Sequence, residues 1–362
     1  MKFVCILTMS IFSFFNLFGQ SDVMNEAPHV FYRGSKIVTY AVVDGKAVLD
    51  SIASKDKVEV NVAIEGKPAL DFKVKLKKEL INEPSIAKGT DKMLFVSDIE
   101  GEFTGFRALL ITNKVIDEHY NWIYGNGKLI ICGDLFDRGA RVTEVLWLLY
   151  KLEQDAVKHG GYVHTILGNH DIMNLSGDLR YVHPRYKELA TIMGLNYMEL
   201  FANDTELGRW LRSKNIIEKI GDNLCAHAGI APQINKLKMP VEVINEKCRP
   251  YLDKARYLKD IGIAEGAGVE LFFTGETSLF WYRGYFVEPK STLQEVDETL
   301  EFYKVKHIVV GHTITKENVG FYYGQKVIGL DVNQHASIHQ AALFEKGKWY
   351  KVDEKGLKDE LK

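Results

Sequence analysis

Cysteine is scarce in this chain: there are 4 among 362 residues, and one of them, Cys5, lies in an N-terminal apolar stretch. The remaining odd three exclude a disulfide-stapled scaffold. An excess of either charge is also missing, since 46 Lys+Arg face 48 Asp+Glu for a formal net charge of −2. Gripping phosphates along a nucleic acid needs a net basic footprint, so no nucleic-acid partner is expected. Past residue 20 no run is long and apolar enough to span a bilayer. What is present is ordinary globular material, 46% hydrophobic and 26% charged, in a length that suits one large domain or one with a small companion.

Residues 1–20 set Lys2 ahead of an apolar run over 3–18 that closes at Gly19-Gln20. The run is short for a span and carries no stop-transfer flank, so 1–20 reads as a secretory signal peptide, with an N-terminal anchor as the rival reading. The mature protein is therefore expected to be secreted or periplasmic, with no stable membrane span. Within an expected unit over 28–83, residues 28–80 alternate apolar and polar positions in short runs around Asp44-Gly45 and Glu65-Gly66. Period-2 alternation about Asp-Gly-type turns predicts hairpins, hence a small antiparallel β domain with a solvated, lysine-rich edge over 73–78. Residues 82–85 read as a linker and 353–362 as a polar tail.

The texture changes over 92–352, the expected catalytic domain. MLFVSD, KLIICGD and YVHTILGNHD are short apolar strands that run into polar turns, and 103–122 and 142–157 have helical periodicity between them. The polar strand ends fall at Asp98, Asp134 and Asn169, spaced 36 and 35 residues apart. A βαβ unit takes about 30 residues or more, so these side chains are predicted on adjacent parallel strands at one edge. Ligands of open α/β sheets bind at that edge. Two further apolar strands end at His227 and His312. One such residue after a strand is an ordinary cap; five in order, each beside a glycine that lets the backbone approach an ion, point to a site. Cys132 and Cys225 precede site residues on buried strands and read as core.

The ordered motifs Asp98-Ile99-Glu100, Gly133-Asp134-Leu135-Phe136-Asp137-Arg138, Gly168-Asn169-His170-Asp171, His227 and Gly311-His312 resemble the calcineurin-like metallophosphoesterase superfamily. The stretches GNHDIMNLSGDLRYV (168–182) and LFWYRGYF (279–286) are most similar to the Shewanella-like protein phosphatases. This resemblance implies a four-layer αββα sandwich with two divalent ions at its apex. Carried over by position, Asp98 and residue 100 would hold the first ion, Asp134 would bridge both, and Asn169, His227 and His312 would complete the second. His170 would be the general acid oriented by Asp137, and Arg138 and Arg283 would grip phosphate oxygens. Carboxylate, amide and imidazole donors suit Mn, Mg, Fe or Zn.

The motif has His where this chain has Glu100. Glu100 could ligate through oxygen, Glu102 or a water could substitute, or the first site could be lost. A carboxylate there favours Mn. The single His of Gly311-His312-Thr313-Ile314 shifts the expectation toward monoesters. The resulting expectation is an exported binuclear-metal phosphomonoesterase acting on a small molecule or a phosphoprotein. The alternatives are a phosphodiesterase or dinucleoside-polyphosphate hydrolase, and an impaired phosphate-binding relative.

Overall fold

The computed structural model describes residues 24–64, 66–258, 268–315 and 318–362. The signal-peptide expectation over 1–20 and Glu65 of the second expected turn lie outside these residues. Among the described residues no helix is long and apolar enough to cross a membrane.

The fold follows from alternation in its apolar strands. The first large sheet comprises β7 (Lys92–Val96), β8 (Lys128–Cys132), β9 (Tyr162–Ile166), β15 (Gln340–Glu345), β16 (Lys348–Asp353) and β17 (Lys358–Glu360), in the order β17-β16-β15-β7-β8-β9. Its β7, β8 and β9 are parallel neighbours, as the spacing of strand ends predicts, with Val96 beside Ile131 and Cys132 beside Ile166. The second sheet holds β6 (Ile86–Ala87), β10 (Ile217–Ile220), β11 (Asn223–Ala226), β12 (His307–Val310), β13 (Gly320–Tyr322) and β14 (Val327–Gly329), in the order β13-β14-β12-β11-β10-β6. Its β11, β12 and β14 are parallel.

Met93, Phe95, Ile130, Cys132 and Ile166 share one buried cluster with Ile220, Cys225, Val309 and Ile328 of the second sheet. Their alternate neighbours Leu94, Val96, Leu129, Ile131 and Val163 belong to the other core, with helices α1 (Phe103–Thr112) and α2 (Val142–Lys158). Leu224, Ala226, Ile308 and Val310 do the same on the second sheet, over α6 (Pro232–Asn235), α7 (Val241–Cys248) and α9 (Leu293–Tyr303). A period of two that feeds two cores makes the four layers αββα. Helices α3 (Asn169–Ser176), α4 (Pro184–Ile192), α5 (Glu206–Arg212) and α8 (Glu270–Phe273) fill the connections.

The N-terminal strands do more than stand in solvent. Strands β1 (Glu26–Arg33), β2 (Lys36–Val43) and β3 (Lys46–Ile52) form an antiparallel sheet, turned at Asp44 and Gly45, both with positive φ. Strands β4 (Glu59–Val62) and β5 (Phe72–Lys75) form a ribbon. Helix α2 buries Trp147 and Tyr150 among many others, Glu144 and Glu153 included, and a helix buried on most of its faces needs cover on both sides. Strands β1 and β5 supply part of that cover. Within 73–78, Lys73 and Lys75 are exposed, but Lys77 reaches the buried Glu153. The stretch 82–85 is strapped down, with Glu83 bonded to Lys214 Nζ at 2.7 Å and to the Ser213 carbonyl at 2.9 Å. The stretch 353–362 carries the exposed edge strand β17.

One element differs from expectation: α1 ends at Thr112, not 122. Asn113 folds its amide back to the Leu109 carbonyl at 2.9 Å, Lys114 turns left-handed at φ 58°, and Asp117 caps a turn at His119 and Asn121. The apolar period persists because Val115, Ile116, Tyr120 and Trp122 fold back onto the same core.

Candidate metal centre

Every expected site residue sits just past the carboxyl end of a strand, or packs behind one that does, apart from Arg283. Asp98 and Glu100 follow β7, Asp134, Asp137 and Arg138 follow β8, Asn169 and His170 open α3 after β9, His227 follows β11 and His312 follows β12. Arg283 comes from the loop between α8 and α9. The backbone turns hard at these positions: Asp98, Glu100, Asp134, Asp137, Arg138 and His312 all have positive φ, between 44° and 75°. Left-handed conformations cost an L-residue roughly 1–2 kcal/mol each, and such strain concentrates at functional sites. The strand ends approach so closely that a Cβ at Gly168 would lie 2.1 Å from Asp134 Oδ1.

A cavity of about 510 Å³ opens over these ends, lined by Asp98, Glu100, Asp134, Asn169, His170 and His312 along with both arginines. Donor atoms of Asp134, His227 and His312 lie within 4.8 Å of one another, as do those of Glu100, Asp134 and His170. His227 sits deeper, with Nε2 at 2.8 Å from Asn169 Oδ1 and 3.2 Å from Asp134 Oδ2. Its Nδ1 is 2.9 Å from the Cys132 carbonyl, which orients the ring and presents Nε2 inward. Asp98 accepts from the His312 backbone N–H at 3.1 Å, tying the two sheets together.

His170 lines the cavity with Nδ1 at 2.6 Å from Asp137 Oδ2 and Nε2 at 3.2 Å from Arg138 Nη2. Asp137 in turn accepts from Asn174 Nδ2 at 2.7 Å. Arg283 Nη1 donates to the His312 carbonyl at 2.8 Å and faces Thr313 Oγ1 at 3.2 Å, while Arg138 pairs with Glu100.

The electrostatics suit cations. Burial pushes the Asp98 carboxyl up to about 6 against the pull of His227, and burial and the Asp98 charge hold Asp331 well above the carboxylate range. Burial would also raise Asp134, but the His227 and His170 charges hold it well below. Burial would lower His227, yet Asp134 carries it up to about 10. Burial and His227 keep His312 neutral, and its buried Nε2 has no hydrogen-bond partner among the described residues. Crowded buried carboxylates beside a neutral imidazole with an unmet nitrogen are what a divalent-ion site needs. The residues present therefore fit divalent-ion binding, with Asp98, Glu100, Asp134, Asn169, His227 and His312 as the groups that could take part.

The family described as calcineurin-like phosphoesterase matches residues 92–316. The chain belongs to this family. It is 29% identical to Shewanella-like protein phosphatase 1 of Plasmodium berghei over 252 residues, which cover 67% of this chain and 66% of that one. With Shewanella-like protein phosphatase 2 of Arabidopsis thaliana the identity is 23%, over 67% of this chain and 71% of that one. Among solved structures it is similar to the cold-active protein-tyrosine phosphatase of a psychrophilic Shewanella species, at 33% identity and TM-score 0.84, covering 94% of this chain and 100% of that one. As a calcineurin-like phosphoesterase, the chain has the αββα fold its motifs imply.

Several site residues had no role assigned from the sequence, although Asp171, Tyr181 and Trp281 lie within the quoted motifs. Asp171 accepts from the backbone N–H groups of Gly168 at 2.7 Å and Leu135 at 2.8 Å, clamping two strand ends together. Tyr181 and Trp281 flank the cavity, with ring centroids 5.2 Å from His170 and 5.8 Å from His312 respectively. Asp331 and His335 line it too. The signal for Asp331 was available, because the apolar run 327–330 ends at Asp331 as the other site strands end at theirs, whereas His335 lies four residues further on in a turn.

Proposed function

We propose that this calcineurin-like phosphoesterase is a binuclear-metal phosphomonoesterase acting on phosphotyrosyl groups of proteins. The observation that carries the reading is one cavity in which a His-carboxylate pair, two guanidinium groups and a cluster of metal-competent donors converge. Two divalent ions held by that cluster would clamp the phosphate and lower the pKa of the attacking water. Arg138 and Arg283 bind the phosphate oxygens and neutralise the charge that grows on them. His170 protonates the leaving oxygen at Nε2, with Asp137 holding Nδ1–H and so fixing the ring and its charge. Burial lowers the His170 pKa, but Asp134 and the Asp137 bond outweigh it and raise the net value, which favours the acid form. Tyr181 and Trp281 offer aromatic walls for an aryl leaving group. The substrate class also draws on the solved Shewanella relative, a protein-tyrosine phosphatase. We infer export from residues 1–20, which N-terminal sequencing of the mature protein would test.

The function is tested with para-nitrophenyl phosphate against its bis-ester, and with a phosphotyrosine peptide against phosphoserine and dinucleoside-polyphosphate substrates. The monoester and the phosphotyrosine peptide should have the higher kcat/KM. Preference for the bis-ester or the dinucleotide would replace the reading with a diesterase one. Metal binding without turnover on any of them would point to a phosphate-binding relative.

A further inference from the structure

Position 100 is the one place where the metal motif carries a carboxylate instead of an imidazole, and an imidazole reaches the same place from another part of the chain. After β14 the chain forms a one-turn 3-10 segment, Gln334–Ala336. Its His335 projects into the cavity edge with Nε2 2.8 Å from Glu100 Oε2 and Nδ1 2.8 Å from Glu102 Oε1. We propose that His335 is a further ligand of the first metal ion, supplying the imidazole that position 100 lacks, with Glu102 as its positioning residue. The proposal rests on the binuclear reading above.

The argument starts from the ring's two nitrogens. Each ring nitrogen faces a carboxylate oxygen at 2.8 Å, an arrangement met either by an imidazolium that donates from both nitrogens or by a neutral ring that donates Nδ1–H to Glu102 and shares a cation with Glu100 through Nε2. Two donors at about 2.1 Å from an octahedral ion and at right angles sit about 3 Å apart, so this spacing suits neighbouring ligands of one ion. A ligating His commonly donates its other N–H to a carboxylate, which is the arrangement Glu102 provides.

The turn is also anchored, which a surface pairing does not require. Gln334 is buried and donates from Nε2 to the Ser97 carbonyl at 2.8 Å, one residue before Asp98, and its Oε1 lies 3.2 Å from His339 Nδ1. His339 lies against α1 where Gly105 has no side chain; a Cβ there would be 2.1 Å from the ring. The strand end that bears Asp98 and the turn that bears His335 are thereby held together.

The test uses the full chain stripped with chelator and titrated with Mn, with ion affinities read by calorimetry and nitrogen couplings by EPR of the bound Mn. His335→Gln should weaken one of two ions at least tenfold, leave the other unchanged and remove one imidazole coupling. Glu102→Gln should weaken the same ion less. In a Glu100→His background the His335→Gln change should cost less than about threefold, because the imidazole is restored at its motif position. Unchanged affinities and couplings in His335→Gln overturn the proposal, as does an equal loss in both backgrounds, which would make His335 structural. Asp134→Asn separates the two claims: if it still binds both ions, the binuclear reading itself fails. If it loses them while His335→Gln does not, only the His335 assignment fails. Circular dichroism melts of each variant confirm that the titrated chains are folded.

Discussion

Replacing Asp137 by Asn exchanges one oxygen for an NH₂ and should disable the proton donor while leaving the metal cluster intact. Asp137 uses both oxygens as acceptors, one for His170 Nδ1 at 2.6 Å and one for Asn174 Nδ2 at 2.7 Å. The Asn174 amide cannot turn over at no cost, because its own oxygen accepts from Tyr197 OH at 2.6 Å. An asparagine at 137 has only one acceptor, so its NH₂ must face a donor on one side. If its oxygen stays with Asn174, the NH₂ faces His170 Nδ1 and selects the neutral tautomer, which is a poor acid. If it turns to His170, the charge that stabilises the imidazolium is still gone. A hydrogen bond to a charged group is worth about 1.5–3 kcal/mol, so at 1.36 kcal/mol per decade kcat for an alkyl phosphate should fall roughly 10- to 150-fold. para-Nitrophenyl phosphate needs little protonation of its leaving group and should lose less than about threefold. The assay is kcat on both substrates, with metal content measured in parallel. Equal losses on the two substrates would refute the assignment of His170 as general acid.

Three further outcomes follow from the structure. Lys214→Met should destabilise the protein by about 3–5 kcal/mol in urea unfolding, because buried Lys214 pairs with Glu83 and Glu153, each at 2.7 Å, and its removal strands their charge. Glu144 is pushed up to about 8 by burial and Glu26, from an ordinary 4.5. A raised folded-state value favours folding when the group is protonated, so this contribution is present below about 4.5 and lost as pH rises through 8; Glu144→Gln should therefore gain up to a few kcal/mol over wild type at pH 8 relative to pH 4.5. Arg283→Ala should raise the inhibition constants of phosphate and vanadate and lower kcat/KM together, and Arg283→Lys should not restore them, since a planar fork is lost; unchanged inhibition would make Arg283 structural.

The sequence disclosed the site better than it disclosed the cover around it. Asp98, Asp134 and Asn169 were legible because a parallel sheet repeats its strand ends at nearly fixed intervals, and the structure brings them to adjacent strands. The end of α1 was not, because residues beyond it fold back over the same core and preserve the helical period past Thr112. The N-terminal strands read as a solvated module, since alternation reports one buried face but not what buries it; here part of the cover is the outer side of α2. Lys77 and Glu83 looked like surface and linker, yet they close ion pairs with Glu153 and Lys214, partners more than 70 residues away that no local pattern reveals. His335 was hidden for the same reason: its meaning depends on Glu100, 235 residues earlier in the chain.

The central claim is that two ions held around Asp134 turn this cavity into a phosphomonoesterase. Its most direct test is a titration of the chelator-stripped chain with Mn, following phosphate release from para-nitrophenyl phosphate and bound metal in the same samples. Turnover should be negligible without metal, rise to a plateau at two ions per chain, and be absent in Asp134→Asn. Full turnover by the stripped protein, or undiminished turnover in Asp134→Asn with both ions bound, would contradict the account.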